Sequence, residues 1–238
     1  MNISVLYVDN HMLVVSKPPG MLAQGDQTGD ASVLSLGKTY VKAAFDKPGN
    51  VYLGLVHRLD RPSSGLMVLA RTSKAMRRLS EQFRERRVEK RYVALVEGDL
   101  TGKGVWEDYL VRNQRRMCVA ASKTAEAKRA ILRWTAVAHH GRLTLVSIQL
   151  LTGRRHQIRC QFAHHGTPIL GDVRYGASSP LDGRNIALHA WQLIVQHPVE
   201  QQPMTFEDPI PPVWSIVSTP AMEKEIRDWQ RFTKTSRD

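Results

Sequence analysis

Two short apolar runs open the chain, Val5 to Val8 and Met12 to Val15, split by the polar triplet Asp9-Asn10-His11. Two such runs around a polar turn predict a β-hairpin. Lys17-Pro-Pro-Gly20 ends the second strand, because proline brings no N–H to a sheet. Farther on, Val33, Leu36, Tyr40 and Ala44 recur at helical spacing behind Asp30 and Ser32, so a helix capped by one of these two is expected to run to about Phe45. Lys47-Pro-Gly-Asn50 is turn chemistry. Val51 to Val56 and Leu66 to Ala70 are rich in branched apolar residues and read as buried strands, with HRLDRPSSG as the loop joining them. Met76, Leu79 and Phe83 then mark one stripe of a second helix, capped by Thr72 or Ser73, whose other faces are filled with arginine.

In the second half, Lys90 to Val96 passes from charge to alternation and places Tyr92 at the start of a strand. Val105 to Leu151 reads mostly as short strands, including a hairpin of Leu132 to Val137 with Leu143 to Leu150 around His139-His-Gly141. In TGRRHQIRCQFAHHG, His156, Arg159 and Ala163 fall one or two helical turns apart, with Ile158 and Phe162 on the adjoining face. A helix capped by Thr152 is expected there, its N-terminal end presenting Arg154 and Arg155 to a phosphate. Strands are expected at Ala187 to Val195 and near Met204 to Phe206, and a helix from Glu223 to Phe232. Strands outnumber helices and follow one another in sequence. The fold class is therefore α+β, with a largely antiparallel mixed sheet flanked by helices and loops.

Charge narrows the partners. Lys and Arg outnumber Asp and Glu 34 to 22, a formal charge of +12, and such a field attracts polyanions, nucleic acid first among them. A hydrophobic content of 42% is ample for a real core. No apolar run approaches the length of a spanning helix and the N-terminal segment lacks a signal-peptide pattern, so a cytoplasmic protein without a membrane partner is expected. Cys118 and Cys160 stand far apart and read as packed thiols. The adjacent pairs His139-His140 and His164-His165 point to opposite faces of a strand and rarely chelate one ion, so no metal site is expected.

Asp60 is the only carboxylate between Lys47 and Ser80, in a window holding seven cations: Lys47, Arg58, Arg61, Arg71, Lys74, Arg77 and Arg78. One reading is a turn acid that bonds nearby amides. The other is a carboxylate held ionised by its surroundings and used as nucleophile or base. Glycoside hydrolysis fits poorly, since it ordinarily needs two carboxylates and no second acid lies nearby in sequence.

Three ordered stretches, HRLDRPSSGLMVLA, EKRYVALVEG and LTGRRHQIRCQFAHHGTPILGDVRYG, together with the N-terminal VLYVDNHMLVVSKPPGML, resemble the motifs of the RluA family of RNA pseudouridine synthases. The resemblance runs from about Val5 to Pro212. It implies a pseudouridine synthase fold for a catalytic domain over residues 1–220, followed by a C-terminal helix or tail over residues 221–238. It also implies Asp60 as catalytic carboxylate, Tyr92 as active-site tyrosine, and Arg159 as the basic residue that pairs with Asp60. Arg58, by the same resemblance, helps displace or replace the target base, with His57 beside it as a further RNA contact. Ser63, Arg155 and Cys160-Gln161 depart from the usual family pattern, and none of these positions is Asp60, Tyr92 or Arg159.

The implied reaction breaks the bond from uracil N1 to the ribose, rotates the ring and joins C5 to the same ribose carbon. Nothing is added or removed, so no cofactor is expected, in keeping with the lack of a Gly-rich phosphate loop. Tyr92 would stack on the uracil, a contact worth about 1 to 3 kcal/mol, and could relay the proton from C5. Flipping the base costs a few kcal/mol, which Arg58 would offset in part. Arg77 and Arg84 on the helix, with Arg154 and Arg155, are candidate phosphate contacts. The expected partner is ribosomal or transfer RNA, bound by a monomer. The rival readings are an RNA-binding module of the same fold that has lost the reaction, and a glycosylase that releases free base.

Overall fold

The computed structural model describes residues 3–114, 116–183, 185–211 and 214. In chain order the elements are β1 (Ser4–Val8), β2 (Met12–Lys17), α1 (Val33–Ala44), β3 (Gly54–Leu55), β4 (Ser64–Ala70), α2 (Ser73–Arg84), β5 (Glu89–Glu97), β6 (Lys103–Asn113), β7 (Arg116–Val119), β8 (Lys128–His140), β9 (Leu143–Leu150), α3 (Gln157–His164), a 3-10 turn (Val173–Tyr175), β10 (Leu188–Gln196) and β11 (Pro203–Glu207). These elements form two compact units. Among the described residues, one comprises those up to Lys90 together with Ala190–Pro209, and the other comprises those over Arg91–His189 together with 210, 211 and 214. The α+β class with antiparallel strand pairing is as expected, while the helix expected from Glu223 to Phe232 and the tail over residues 221–238 lie outside the described residues.

In the first unit β1, β2, β4 and β10 lie side by side, with β11 antiparallel on β10. The hairpin of β1 and β2 is closed by Asp9, whose Oδ1 accepts from the backbone of His11 and Met12. Every residue of β4 is buried, which explains its unbroken apolar sequence. Gly65 is required there: its φ is +116°, and a Cβ would stand 2.4 Å from the carbonyl oxygen of Ala190. The strand expected over Val51 to Val56 shrinks to β3. One edge of β4 is taken by β2 along Gly65 to Ala70 and the other is shared with β10, leaving only Leu69 and Ala70 for β3.

Both helices of this unit begin at the expected polar residues. Ser32 caps α1 in a reciprocal capping box with Ser35, and Thr72 caps α2 by accepting from the Ala75 N–H. On α2, Ala75 and Leu79 enter a core with Met12, Val14, Leu66, Val68 and Phe206, while Met76 and Phe83 pack at its border. Gln82, which interrupts the apolar stripe, is also buried. Its amide donates to the Gln196 carbonyl at 2.9 Å and accepts from the Gln196 N–H at 3.0 Å, docking the helix on the end of β10 as a strand neighbour would.

The second unit is an antiparallel meander in the order β5, β9, β8, β6, β7. Its strands are longer than the short pieces expected, β8 running 13 residues and β6 running 11. Helix α3 lies on this sheet through Phe162 and His165, whose rings pack 4.7 and 4.1 Å from Trp106 of β6. Cys160 is buried in a core with Leu110, Ala130 and Tyr175, and burial pushes its thiol up to about 12, so it is an inert packing residue as expected. Gln161 is fully buried as well, and donates to Asp108 on β6 at 2.7 Å.

Candidate active site

The loop HRLDRPSSG is pinned on several sides within the first unit. His57 stacks on Phe83 of α2, with ring centres 4.6 Å apart, and its Nε2 accepts the Val68 N–H at 3.0 Å. Asp60 and Ser63 close a turn, the Ser63 N–H and hydroxyl both donating to the Asp60 carbonyl. Arg61 is tied to the segment after β2: its Nε donates to the Gly20 carbonyl, the Gly20 N–H donates back to the Arg61 carbonyl, and its guanidinium pairs with Asp30. Between these anchors the Asp60 side chain is half-buried and Arg58 is exposed. The result is a carboxylate on a rigid loop in a strongly basic stretch, the preorganisation that nucleophilic or general-base chemistry requires.

Lys17, which the sequence presents as a strand-end charge, lies beneath this loop with no exposed surface. Its Nζ donates to the carbonyls of Pro18 at 3.0 Å, Met21 at 2.9 Å and Arg61 at 3.1 Å. Burial pushes its pKa down to about 7, while the Asp60 charge pulls it back up. A lysine in an otherwise apolar strand, followed at once by Pro-Pro-Gly, was the available signal for this role.

The expected RNA contacts in this unit divide. His57 is held neutral, its pKa pushed down to about 3 by burial and further lowered by Lys90, and one ring nitrogen is committed to β4. Its ring packs and orients the loop. Arg77 is exposed on α2, whereas Arg84, also exposed, lies 3.7 Å from Glu81. Arg78 is used structurally, donating to the Pro198 carbonyl at 2.7 Å.

In the second unit Tyr92 is buried on β5 opposite Ile148 of β9. Arg159 is buried on α3 and forms a two-point pair with Asp172, from Nε to Oδ2 at 2.6 Å and from Nη2 to Oδ1 at 2.8 Å. The Tyr175 ring faces the same guanidinium at 5.0 Å, and the Tyr175 hydroxyl accepts from the Met117 N–H at 3.0 Å and shares a hydrogen bond of 2.9 Å with His156. Asp172 and Tyr175 stand within the motif that carries Arg159, and a buried helical arginine demands a carboxylate. Only their spacing hid the pairing.

The segment before α3 corrects one expectation. The helix starts at Gln157, not after Thr152, because His156 is in the left-handed region with φ 51°. Thr152 instead accepts from the Ile131 N–H and donates to Gln157 Oε1, which also accepts from the Arg154 N–H, while Gln157 Nε2 donates to the Ile131 carbonyl. This buried clamp fixes the start of α3, and through it Arg159, against β8. Arg154 and Arg155 therefore lie on the preceding loop. Arg154 donates to the Arg129 carbonyl at 3.0 Å, and Arg155 is exposed.

A family model described as RNA pseudouridylate synthase matches residues 11–164. The chain is similar to the ribosomal large subunit pseudouridine synthase C of Buchnera aphidicola subsp. Baizongia pistaciae, 30% identical over 231 residues that cover 91% of this chain and 70% of that protein. It is 34% identical to the ribosomal large subunit pseudouridine synthase C of Vibrio vulnificus over 213 residues, covering 87% of this chain and 65% of that one. The chain thus spans about two thirds of the length of these curated relatives. In fold it is similar to human RNA pseudouridylate synthase domain containing 4, with a TM-score of 0.74 at 22% identity over 94% of this chain and 93% of that one.

Proposed function

The chain belongs to the RNA pseudouridylate synthase family, and from that premise we propose that it isomerises uridine in ribosomal RNA to pseudouridine with Asp60 as the catalytic carboxylate. The observation that carries the assignment is the construction of the Asp60 loop. Anchors at His57, Arg61, Ser63 and Gly65 hold the backbone on both sides of a half-buried acid. Ribosomal RNA is favoured over transfer RNA because the similar bacterial proteins are named for the large ribosomal subunit. The protein is expected to act as a monomer in the cytoplasm, and no helix among the described residues is long and apolar enough to cross a membrane.

Asp60 acts by one of two routes: as nucleophile it bonds ribose C1′ as N1 leaves and is displaced when C5 attacks C1′, or as base it takes the C2′ proton as N1 leaves and returns it as C5 joins C1′. In both routes the N1 glycosidic bond breaks, the uracil turns, C5 joins C1′, and the proton on C5 leaves as N1 gains one. Tyr92 supplies a ring for the uracil and a hydroxyl for that last proton transfer. Arg159, oriented by Asp172, is assigned the pairing with Asp60 that keeps the acid ionised. Arg58 takes the place of the flipped base, and Arg77, Arg84, Arg154 and Arg155 serve the RNA backbone.

Pseudouridine mapping of ribosomal RNA from cells with and without the gene tests the reading. One or a few sites are expected to vanish and to return with the wild-type gene but not with Asp60→Ala or Asp60→Asn. Both variants are expected to bind RNA within about threefold of wild type, as befits loss of a reacting group that adds little binding. Turnover by either purified variant would sink the assignment of Asp60.

A further inference from the structure

We propose that Asp30 is a positioning residue for Asp60, acting through Arg61. The inference rests on the reading of Asp60 as the catalytic carboxylate, and deepens it by naming what holds the next residue in place. Arg61 is fixed at both its backbone and its side chain. Its carbonyl accepts from the Gly20 N–H at 2.8 Å and from Lys17 Nζ at 3.1 Å, while its Nε donates to the Gly20 carbonyl at 3.0 Å and its Nη2 pairs with Asp30 Oδ2 at 2.5 Å. Asp30 supplies the negative charge in this set. A guanidinium next in the chain to Asp60, in so basic a stretch, is otherwise drawn to the acid itself or to an RNA phosphate. Paired with Asp30, it serves as a strut of the turn.

The chain around Asp30 is built to deliver that charge. Residues 24–31 form a loop whose ends are closed: the Val33 N–H donates to the Leu22 carbonyl at 2.8 Å, and the Leu34 N–H to the Ala23 carbonyl at 3.2 Å. Within the loop Asp26 accepts from the N–H and hydroxyl of Thr28, and Thr28 Oγ1 accepts the Asp30 N–H at 3.4 Å. Ser32 caps α1, so the Asp30 carboxylate, two residues earlier, is spared from the helix and turned to Arg61. Gly20 lies before the loop and Asp30 near its end. Arg61 therefore ties both arms of this segment to the turn that Asp60 and Ser63 close. With side chains 36% and 49% exposed, the pair adds little to stability. Its contribution is to geometry, where a reacting group misplaced by about 1 Å costs up to about 100-fold in rate.

The test uses the full chain and in vitro transcribed large-subunit ribosomal RNA. Single-turnover rates at saturating RNA, and dissociation constants from fluorescence anisotropy, are measured for wild type, Asp30→Asn, Asp30→Glu, Arg61→Ala, the Asp30→Asn and Arg61→Ala double variant, and Asp26→Asn. Asp30→Asn is expected to lower the saturated rate about five- to tenfold without weakening RNA binding, since a displaced reacting group costs rate and a lost acid does not repel a polyanion. Asp30→Glu restores the charge and is expected to recover the rate to within about twofold of wild type. In the Arg61→Ala background Asp30→Asn is expected to add less than about twofold, as for two residues that act as one. Asp26 lies in the field of Arg61 but spends its carboxylate on Thr28, so Asp26→Asn is expected to leave the rate within about twofold. A rate within about twofold of wild type in Asp30→Asn would overturn the proposal, as would weaker binding at an unchanged rate, an equal fall in Asp26→Asn, or a full further fall in the Arg61→Ala background. Amide exchange at Ser63, whose N–H donates to the Asp60 carbonyl, reads the turn without any reaction. It is expected to quicken about two- to fivefold in Asp30→Asn while the melting temperature stays within about 3 °C of wild type. If wild type forms no pseudouridine on any RNA, the reading of Asp60 fails on its own, and unchanged exchange at Ser63 is what overturns the hold of Asp30 on the turn.

Discussion

Replacing Lys17 by methionine keeps the unbranched stem and removes the charge, so it isolates what the buried ammonium does under the Asp60 loop. Two effects oppose each other. The Arg61 carbonyl keeps the Gly20 N–H as a partner, but the carbonyls of Pro18 and Met21 lose the donor that Lys17 gives them. At about 1 to 3 kcal/mol for each buried polar group stripped of its partner, the substitution costs about 2 to 6 kcal/mol. Against this stands the cost of burying the charge. The pKa falls from 10.5 to about 7 with burial as the main cause, and at 1.4 kcal/mol per unit the charged form costs the fold about 5 kcal/mol relative to the neutral one.

The folded pKa lies below the unfolded one, so between about pH 7 and pH 10.5 the unfolded chain binds more protons and the contribution of Lys17 to stability rises with pH. Methionine does not titrate, and every other group is common to both proteins. The stability of wild type minus that of Lys17→Met is therefore expected to grow by about 3 kcal/mol between pH 7 and pH 9.5. Urea unfolding of both proteins at the two pH values measures it, with equal m-values as the check that the same transition is compared. A difference constant within about 0.5 kcal/mol would refute the reasoning, since it would mean that Lys17 carries no titration in the fold. Catalysis gives a second readout. With the ammonium gone from beneath it, the turn carrying Asp60 keeps only the Gly20 N–H on its Arg61 carbonyl, and on the proposed role of Asp60 the saturated rate is expected to fall about 10- to 100-fold, as misplacement of a catalytic group does.

Two further substitutions address the anchors. Asp172→Asn leaves the buried Arg159 guanidinium with a neutral partner, and is expected to lower stability by about 3 to 5 kcal/mol and to broaden or lower the thermal transition; a melting temperature within about 2 °C of wild type would show that the pair is not what holds Arg159. His57→Phe preserves the stack on Phe83 and strips the Val68 N–H of its acceptor, so a loss of about 1 to 3 kcal/mol is expected with no change in the salt slope of RNA binding. A slope reduced by about one unit would instead mark His57 as a phosphate contact.

Much of this architecture is legible in the pattern of apolar residues. The runs at Met12 to Val15 and Leu66 to Ala70 are continuous because both faces of those strands are buried, and the caps at Ser32 and Thr72 follow from unsatisfied N–H groups at helix starts. What the pattern misjudges depends on partners distant in sequence. Val51 to Val56 has strand composition, yet the edge it needs on β4 is shared with β10, a strand more than a hundred residues later. Nothing near His57 in sequence shows that its ring is held against the Val68 amide and Phe83. Thr152 reads as a helix cap because Thr often caps; the Ile131 backbone and Gln157 claim its hydroxyl instead. Lys17 reads only as the end of a strand because one of its carbonyl acceptors lies at Arg61, far along the chain.

Among the described residues two Lys or Arg side chains, Lys17 and Arg159, are buried, and they are held by different means. Arg159 is matched by a full opposite charge at two points, so its ionisation and orientation are set by Asp172 whatever happens to the substrate. Lys17 is held by carbonyl dipoles, which orient it but neutralise it only partly, and the nearby Asp60 charge supports its protonated state.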